Sequence, residues 1–341
     1  MATYLDQDQK AEIDWSDAGQ RAAHLQVLVH DTEAALELAI EQSDDPEVRL
    51  VGWLLTKILG DDVAQEASGA ACIGQGTAAD RVVSITDPDM RHGRKSAAHR
   101  FDGFKASVST DQESELIMDI ADLAANAGDG QALMPTIEQV ETHAGVQVER
   151  VIGDGAYLSG DNLAACADHP EHAIDLVSPI RQPADPEVDK SAFQIDLQAQ
   201  RATCPQGHTV AGQPAHDAQG REVLRFTFPR ATCASCPLFA RCVRSKKTGR
   251  TLTTHAHEVL LQQARARQQT DEFKALYPLR SAVERKIDEL VDHGLRRTRY
   301  IGARQRHQQR LWTAAAVNLK RLFALAQERQ VDLHAVLAAL A

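Results

Sequence analysis

The chain has 341 residues, of which 43% are hydrophobic and 25% are charged, and its formal net charge is −11. This composition is that of a globular protein and excludes a disordered chain or a fibre. No apolar run reaches the ~18 residues of a membrane span, and residues 1–10 lack the apolar stretch of a signal peptide. We therefore expect a cytoplasmic protein whose six cysteines are thiols or metal ligands.

Charge is divided unequally along the sequence. Residues 1–200 contain 13 Lys and Arg against 37 Asp and Glu, whereas residues 201–341 contain 24 against 11. The basic second half suits a polyanionic partner, although a solvated basic surface would give the same count.

Residues 1–80 predict a helical N-terminal segment. Asp17, directly after Ser16, can cap a helix that runs to Ile40. Pro46 follows two aspartates and opens a second helix that ends near Leu59.

Residues 81–182 change to an α/β pattern. Two apolar runs, 104–108 and 115–124, are separated by polar residues and predict a hairpin. An amphipathic helix after Asp129-Gly130 is followed by a short strand, a helix and another strand. This order predicts an α/β fold in which helices flank a mixed sheet.

Residues 183–255 and 256–341 complete the predicted organisation. The first segment is rich in Pro, Gly, Gln and Thr, holds four of the six cysteines and is interpreted as a Cys-rich insertion. The second carries apolar helical periods over 273–291 and 311–326, which predict C-terminal helices.

Asp154 is the first candidate for chemistry. It follows the predicted strand 146–153 and precedes Gly155. Functional side chains collect at the carboxyl ends of strands in α/β sheets, and a carboxylate there can bind Mg²⁺ or Mn²⁺. An Asp-Gly turn without further function is the alternative.

A second candidate set comprises Tyr277, Arg280 and Glu284. Spacings of three and four residues put them on one face of a helix, opposite an apolar stripe. A carboxylate that binds a metal, beside a guanidinium and a phenol that hold phosphate, suits DNA chemistry. An Arg–Glu surface ion pair is the alternative.

The cysteines of the insertion form a third set. Their spacing, C-x28-C-x2-C-x5-C, offers the four ligands that structural zinc requires. Four free thiols are the alternative. The ligands would be Cys204, Cys233, Cys236 and Cys242.

Two basic runs, 241–250 and 294–310, can supply phosphate contacts without reading base sequence. Arg296, Arg297 and Arg299 follow directly on the Glu284 helix, which favours DNA binding over a merely solvated face.

These motifs together resemble the DDE transposases of bacterial insertion sequences, in the group with a Tyr-Arg-Glu signature. The similarity rests on Asp154-Gly155-Ala156-Tyr157, the Cys-rich insertion and Tyr-x2-Arg-x3-Glu, and extends over about residues 82–327. It also includes DPDMRHGRKS, FDGFKASVSTD and AAAVNLKRL.

The resemblance implies a ribonuclease-H-like catalytic domain with two divalent metals, Mg²⁺ or Mn²⁺, and no membrane association. Such a site cleaves DNA strands and transfers a 3′-hydroxyl to target DNA. Asp154 would be the second catalytic acid and Glu284 the third, while Tyr277 and Arg280 would hold the DNA strand. The implied partners are double-stranded transposon ends, target DNA and a second copy of the chain, in the nucleoid.

Two departures from the family pattern qualify this expectation. Val291 stands where a Lys usually follows the Glu by seven residues, so a phosphate contact is lost or moved to Arg296 or Arg297. The family's first catalytic Asp lies ahead of a helical stretch like the one that begins near residue 16, which predicts an amino-terminally shortened transposase. Asp87 and Asp89 are not expected to replace it.

Three functions remain open on the sequence. The first is a transposase catalytic region, incomplete without the first Asp. The second is a transposase-derived DNA-binding or regulatory protein without catalysis. The third is a metal nuclease outside transposition, which would need no arginine-rich contacts to DNA ends.

Overall fold

The structure is a computed structural model that describes residues 13–76, 78–96, 98–245 and 247–332. Residues 1–10, Lys246 of the first basic run and the last nine residues of the C-terminal segment, all used in predictions above, lie outside the described residues.

The described residues form ten α-helices and twelve strands. The helices are α1 (Ala18–Gln42), α2 (Pro46–Asp62), α3 (Leu133–Ala144), α4 (Gly160–Ala167), α5 (Arg230–Ala234), α6 (Phe239–Cys242), α7 (Glu258–Arg267), α8 (Asp271–Leu276), α9 (Ser281–Asp292) and α10 (Ala303–Glu328). The strands are β1 (Val63–Gln65), β2 (Ala71–Ile73), β3 (Arg91–Arg94), β4 (Arg100–Thr110), β5 (Ile117–Ala124), β6 (Arg150–Ile152), β7 (Asp175–Val177), β8 (Gln194–Asp196), β9 (Arg201–Thr203), β10 (Thr209–His216), β11 (Glu222–Thr227) and β12 (Thr251–Thr253).

The two predicted N-terminal helices are confirmed, as are the cap of the first and the position of Pro46 at the start of the second. The Asp17 carboxylate accepts hydrogen bonds from the backbone N–H groups of Gly19 and Gln20 at the start of α1. Asp45 does the same for Glu47 at the start of α2, where Pro46 is the first helical residue. Each cap satisfies backbone donors that have no partner inside the helix.

Hydrogen bonds group the described strands into four sheets instead of one. These are β1–β2, β3–β4–β5, the parallel pair β6–β7, and an antiparallel sheet ordered β12–β11–β10–β9–β8. The mixed α/β class is therefore confirmed and is compatible with a ribonuclease-H-like domain. The expected single mixed sheet is replaced by separate sheets, because β6 and β7 are only three residues long and pair with each other.

The segment predicted as an irregular insertion contains the five-stranded antiparallel sheet. A turn at 217–220, where the Asp217 carboxylate accepts from the backbone N–H of Gln219 and Arg221, joins β10 to β11. The core of this sheet consists of Phe193, Ala202, Phe226, Phe228 and Leu252.

The described residues divide into two compact units. Unit 1 comprises residues 13–106, 122–127 and 294–313, and unit 2 comprises 107–121, 128–293 and 314–332. These ranges describe compactness alone, and the four segment boundaries from the sequence stay predictions. No described helix is both long enough and apolar enough to cross a membrane.

Unit 1 contains a buried ionic cluster. The Arg306 guanidinium lies 3.4 Å from Asp87 and 3.2 Å from Asp122, and it covers the ring of Phe104. Arg310 also pairs with Asp122, and burial lowers the pKa of Arg310 to about 10. Asp87 is thus held in a buried ion pair with Arg306.

Unit 2 holds the strand and the helices that carry the candidate acids. Its core includes Leu133, Ile137, Cys166, Ile174 and Leu176, which confirms the predicted apolar side of α3. Helix α4 contacts α3, β7 and α7 around this core. The parallel pair β6–β7 therefore has helices packed beside it.

Candidate active site

Asp154 lies just beyond the carboxyl end of β6. The ladder with β7 pairs Ile152 with Val177 and is extended by Gly153, whose N–H donates to the Val177 carbonyl at 3.0 Å. The Asp154 Oδ1 then accepts from the Ala156 N–H at 2.8 Å. The carboxylate therefore shapes a turn, as the alternative interpretation proposed, while its remaining lone pairs are not used by that bond.

Close packing fixes the loop that carries Asp154. A Cβ atom at Gly155 would lie 3.0 Å from the Pro179 carbonyl oxygen. The Ser178 hydroxyl donates to the Asp154 carbonyl from the end of β7. The loop after β6 is consequently held by the segment that follows the neighbouring strand.

Asp129 is a neighbour of Asp154 that the sequence analysis used only as a helix signal. Asn162 donates from one side-chain nitrogen to the carbonyls of Gly130 and Tyr157, at 3.0 and 2.8 Å, and so joins their two loops. Burial raises the pKa of Tyr157, and the negative charges of Asp129 and Asp154 raise it further, against a hydrogen bond with Ser107. The Asp-Gly pair at 129–130, a repeat of the pair at 154–155, was the available signal.

Tyr277 and Arg280 lie in a 3₁₀ turn between α8 and α9, whereas Glu284 lies in the first turn of α9. The expectation of one continuous helix is therefore wrong at this point. Pro278 is in the turn and lacks the N–H that an α-helical hydrogen bond would need.

Arg280 nevertheless contacts both of the other side chains. The Arg280 Nη2 donates to the Glu284 Oε1 at 2.6 Å. The same guanidinium lies 5.7 Å from the centre of the Tyr277 ring, which stacks on Phe273. The Arg–Glu ion pair of the alternative interpretation is thus formed.

Within unit 2 the elements that lead to the two acids touch. Strand β6 contacts the 3₁₀ turn 277–280. Arg267, at the end of α7, pairs with Asp175 of β7, with Nη2 and Oδ2 3.0 Å apart. That arginine is the first cause, and Arg150 a further cause, of the lowered pKa of Asp175, against burial.

A cation site is not complete as the side chains stand. No three His, Cys, Asp or Glu residues in the described part of the chain are grouped so that they could hold a metal ion. Asp154 and Glu284 have the oxygen ligands that Mg²⁺ and Mn²⁺ prefer, but their present hydrogen bonds are to Ala156 and Arg280.

The basic runs are only partly available to a partner. Arg296, Arg297 and Arg299 are exposed and belong to unit 1. In the same run Arg306 and Arg310 are buried in the ionic cluster, and in the first run Arg241 is paired with Asp185 and Glu187. Acidic partners distant in sequence therefore occupy part of each basic run.

One further motif of the resemblance has a structural role in unit 2. Asn318, from AAAVNLKRL, accepts a hydrogen bond from the Ile117 N–H at 2.8 Å and donates to the Ile117 carbonyl at 2.9 Å. It therefore fixes the start of β5. The Val317 side chain beside it is fully buried.

Comparison with known families agrees with the residues described above. Residues 203–323 match the family model described as Transposase DDE domain. The match includes the four cysteines of the segment 183–255, the Tyr277–Glu284 set and the exposed arginines, and it begins after Asp154. No curated protein and no solved structure matches the chain. Residues 203–323 are thus similar to the DDE domain of transposases.

Proposed function

We propose that this chain supplies the catalytic region of an insertion-sequence transposase, which cleaves double-stranded transposon ends and joins them to target DNA. The contact between β6 and the 3₁₀ turn 277–280 carries the proposal. Asp154 follows the strand by two residues and Glu284 follows the turn by four. One packing contact therefore governs the approach of both acids.

Tyr277 and Arg280 are the residues proposed to hold the DNA strand. The Arg280–Glu284 pair is partly exposed, with 26% and 56% of the side chains accessible. Exposed ion pairs contribute only about 0–1 kcal/mol. Arg280 can therefore exchange Glu284 for a phosphate at little cost, which releases the carboxylate for a cation.

Mg²⁺ or Mn²⁺ is the proposed cofactor, with Asp154 and Glu284 among its ligands. When bound, such an ion lowers the pKa of an attacking water or hydroxyl and stabilises the charge on the phosphate. The described residues supply the right type of ligand, but not a three-residue group in place.

The exposed Arg296, Arg297 and Arg299 are proposed to contact DNA phosphates, and two copies of the chain are proposed to act together on DNA. Neutralising three phosphates gives a salt dependence with a slope of about −2.7 in a double-logarithmic plot, at ~0.9 per contact. Such contacts position a duplex without reading its sequence.

A second candidate function is DNA binding or regulation without strand cleavage. One observation favours it, namely that no three potential ligands among the described residues are grouped around a cation site. DNA binding by the exposed arginines would then be the whole function.

The test is strand cleavage of a supercoiled plasmid that carries the gene and its flanking DNA, in Mg²⁺ and in Mn²⁺. Asp154→Asn and Glu284→Gln are compared with Asp288→Asn, which removes an exposed carboxylate from the same helix α9. We expect slow nicking by the unchanged chain and by Asp288→Asn, and none by the other two variants. Equal nicking by all four proteins overturns the catalytic assignment, and DNA binding without nicking by any of them supports the second candidate.

A further inference from the structure

Four of the six cysteines line a single cavity beside the core of the antiparallel sheet. They are Cys204, Cys233, Cys236 and Cys242, and none of them forms a disulfide. The cavity measures about 30 Å³, which is room for a water-sized species or an ion. Phe193 and Phe228 of the sheet core form part of its wall.

Cys204 reaches the cavity from a tight turn between β9 and β10. Its N–H donates to the His208 carbonyl at 2.8 Å, and the Gly207 N–H donates to the Cys204 carbonyl at 2.9 Å. Gly207 has φ +82°, which few residues other than glycine adopt. The strand pair on both sides therefore holds this turn in one conformation.

The other three cysteines come from the two short helices that follow β11 and from the link between these helices. Cys233 lies in α5, and the Cys236 N–H donates to its carbonyl at 3.0 Å. Cys242 is the last residue of α6, and its N–H donates to the Leu238 carbonyl at 2.8 Å. Backbone hydrogen bonds thus fix the segments that carry the four cysteines, and all four line the same cavity.

Arg250 gives independent support for a ligand in this cavity. It lines the same cavity, and its Nη1 donates to the Cys242 carbonyl at 3.1 Å. Its Nε is buried and has no hydrogen-bond partner among the described residues. A buried donor without an acceptor is costly, so this N–H indicates an acceptor that the described side chains do not provide.

We propose that Cys204, Cys233, Cys236 and Cys242 bind one structural zinc ion, with the Arg250 Nε–H donating to a zinc-bound thiolate. Four thiols and one Zn²⁺ give a tetrathiolate zinc centre and release four protons. As the side chains stand they do not surround a common point, so binding requires rotation about their Cα–Cβ bonds. Thiols meet this requirement readily, because each side chain has one such torsion.

The small size of the sheet core supplies a reason for the metal. Among the described residues its buried cluster has five members, and segments with small cores commonly depend on metals or disulfides. This zinc has a structural role, separate from the catalytic role proposed for Asp154 and Glu284. Its binding does not depend on the proposed catalysis.

The experiment measures zinc by elemental analysis in the purified full chain, beside Cys236→Ser and the control Cys72→Ser. Cys72 is a half-buried thiol in β2 of unit 1. We expect about one zinc per chain in the unchanged protein and in Cys72→Ser, and a loss of most of it in Cys236→Ser. A zinc-free chain in which the four thiols react freely, or equal zinc in all three proteins, overturns the site.

Cobalt substitution keeps the proposal testable if Cys236→Ser fails to fold. The unchanged chain, stripped of metal and titrated with Co²⁺, should show the visible absorption of tetrahedral cobalt and sulfur-to-cobalt charge transfer. Absorption typical of octahedral cobalt would contradict a tetrathiolate site. Glu284→Gln should retain its zinc, which separates a failure here from a failure of the catalytic proposal.

Discussion

Arg280 holds Glu284 through a single hydrogen bond, with 2.6 Å between Nη2 and Oε1. The two residues are four apart, but the first ends a 3₁₀ turn and the second is in the first turn of α9. This pair links the residue proposed to hold DNA with the acid proposed to hold the metal, and it gives the first prediction.

Replacing Arg280 with Ala should weaken DNA binding while leaving the fold stable. The free energy of unfolding should change by less than about 1 kcal/mol, because the pair is exposed. The DNA dissociation constant should rise at least about tenfold, since a charge-assisted hydrogen bond contributes ~1.5–3 kcal/mol. Fluorescence anisotropy with a labelled duplex measures this, and Arg329→Ala, which removes an exposed partner of Glu113, is the control that should bind normally.

Arg306 should be among the most sensitive positions for stability. Changing it to Met leaves the buried Asp87 without its arginine and should lower the free energy of unfolding by about 3–5 kcal/mol. Arg304, exposed on the same helix α10, should tolerate the same change within about 0.5 kcal/mol. Urea denaturation followed by circular dichroism measures both variants, and similar losses would contradict the buried cluster.

Asp175 should make stability depend on acid pH. Arg267 and Arg150 lower its pKa in the folded chain, so its stabilising contribution is complete above the unfolded value of about 3.9. That contribution is lost as the pH falls through the lowered folded value. Asp175→Asn should therefore be less stable than the unchanged chain at pH 7, and the difference should shrink in acid. Asp292→Asn changes an exposed position at the end of α9 and is the control, which should keep the stability of the unchanged chain at pH 7 within about 0.5 kcal/mol.

The exposed arginines should determine how steeply salt weakens DNA binding. Each of Arg296→Ala, Arg297→Ala and Arg299→Ala should reduce the slope of log K against log salt by about 0.9. Arg49→Ala removes an exposed arginine that pairs with Asp44 and should leave the slope unchanged. Titrations at four or more salt concentrations measure the slopes, and identical slopes for all variants would remove these arginines from the DNA contact.

Local signals predicted local structure well. The cap at Asp17, the start of α2 at Pro46 and the apolar side of α3 could be predicted because their signals lie within a few residues in the sequence. The antiparallel sheet could not, because residues 183–255 alternate weakly and contain many turn-forming residues. Its strands become recognisable through pairs such as Phe226 with Leu252, which are 26 residues apart in the chain.

The candidate site likewise combines features that could be predicted from the sequence with features that could not. Asp154 at the end of a strand was predictable from a short apolar run before an Asp-Gly pair. The burial of Arg306 within an exposed-looking basic run was not, because its partner Asp87 lies more than 200 residues earlier. The role of Pro278 in a 3₁₀ turn was also missed, since the three- and four-residue spacings fit a continuous helix as well.

Gln309 fixes the backbone of the segment of unit 1 that carries the exposed arginines. Its side-chain amide accepts from the Arg299 N–H at 2.9 Å and donates to the Arg297 carbonyl at 2.8 Å. The backbone between α9 and α10 is therefore ordered before any partner arrives, while the guanidinium groups stay in water. A partner that binds these groups would lose little entropy to loop ordering. Gln309→Ala should consequently speed dissociation from DNA even though Gln309 itself carries no charge, and stopped-flow dissociation would detect it.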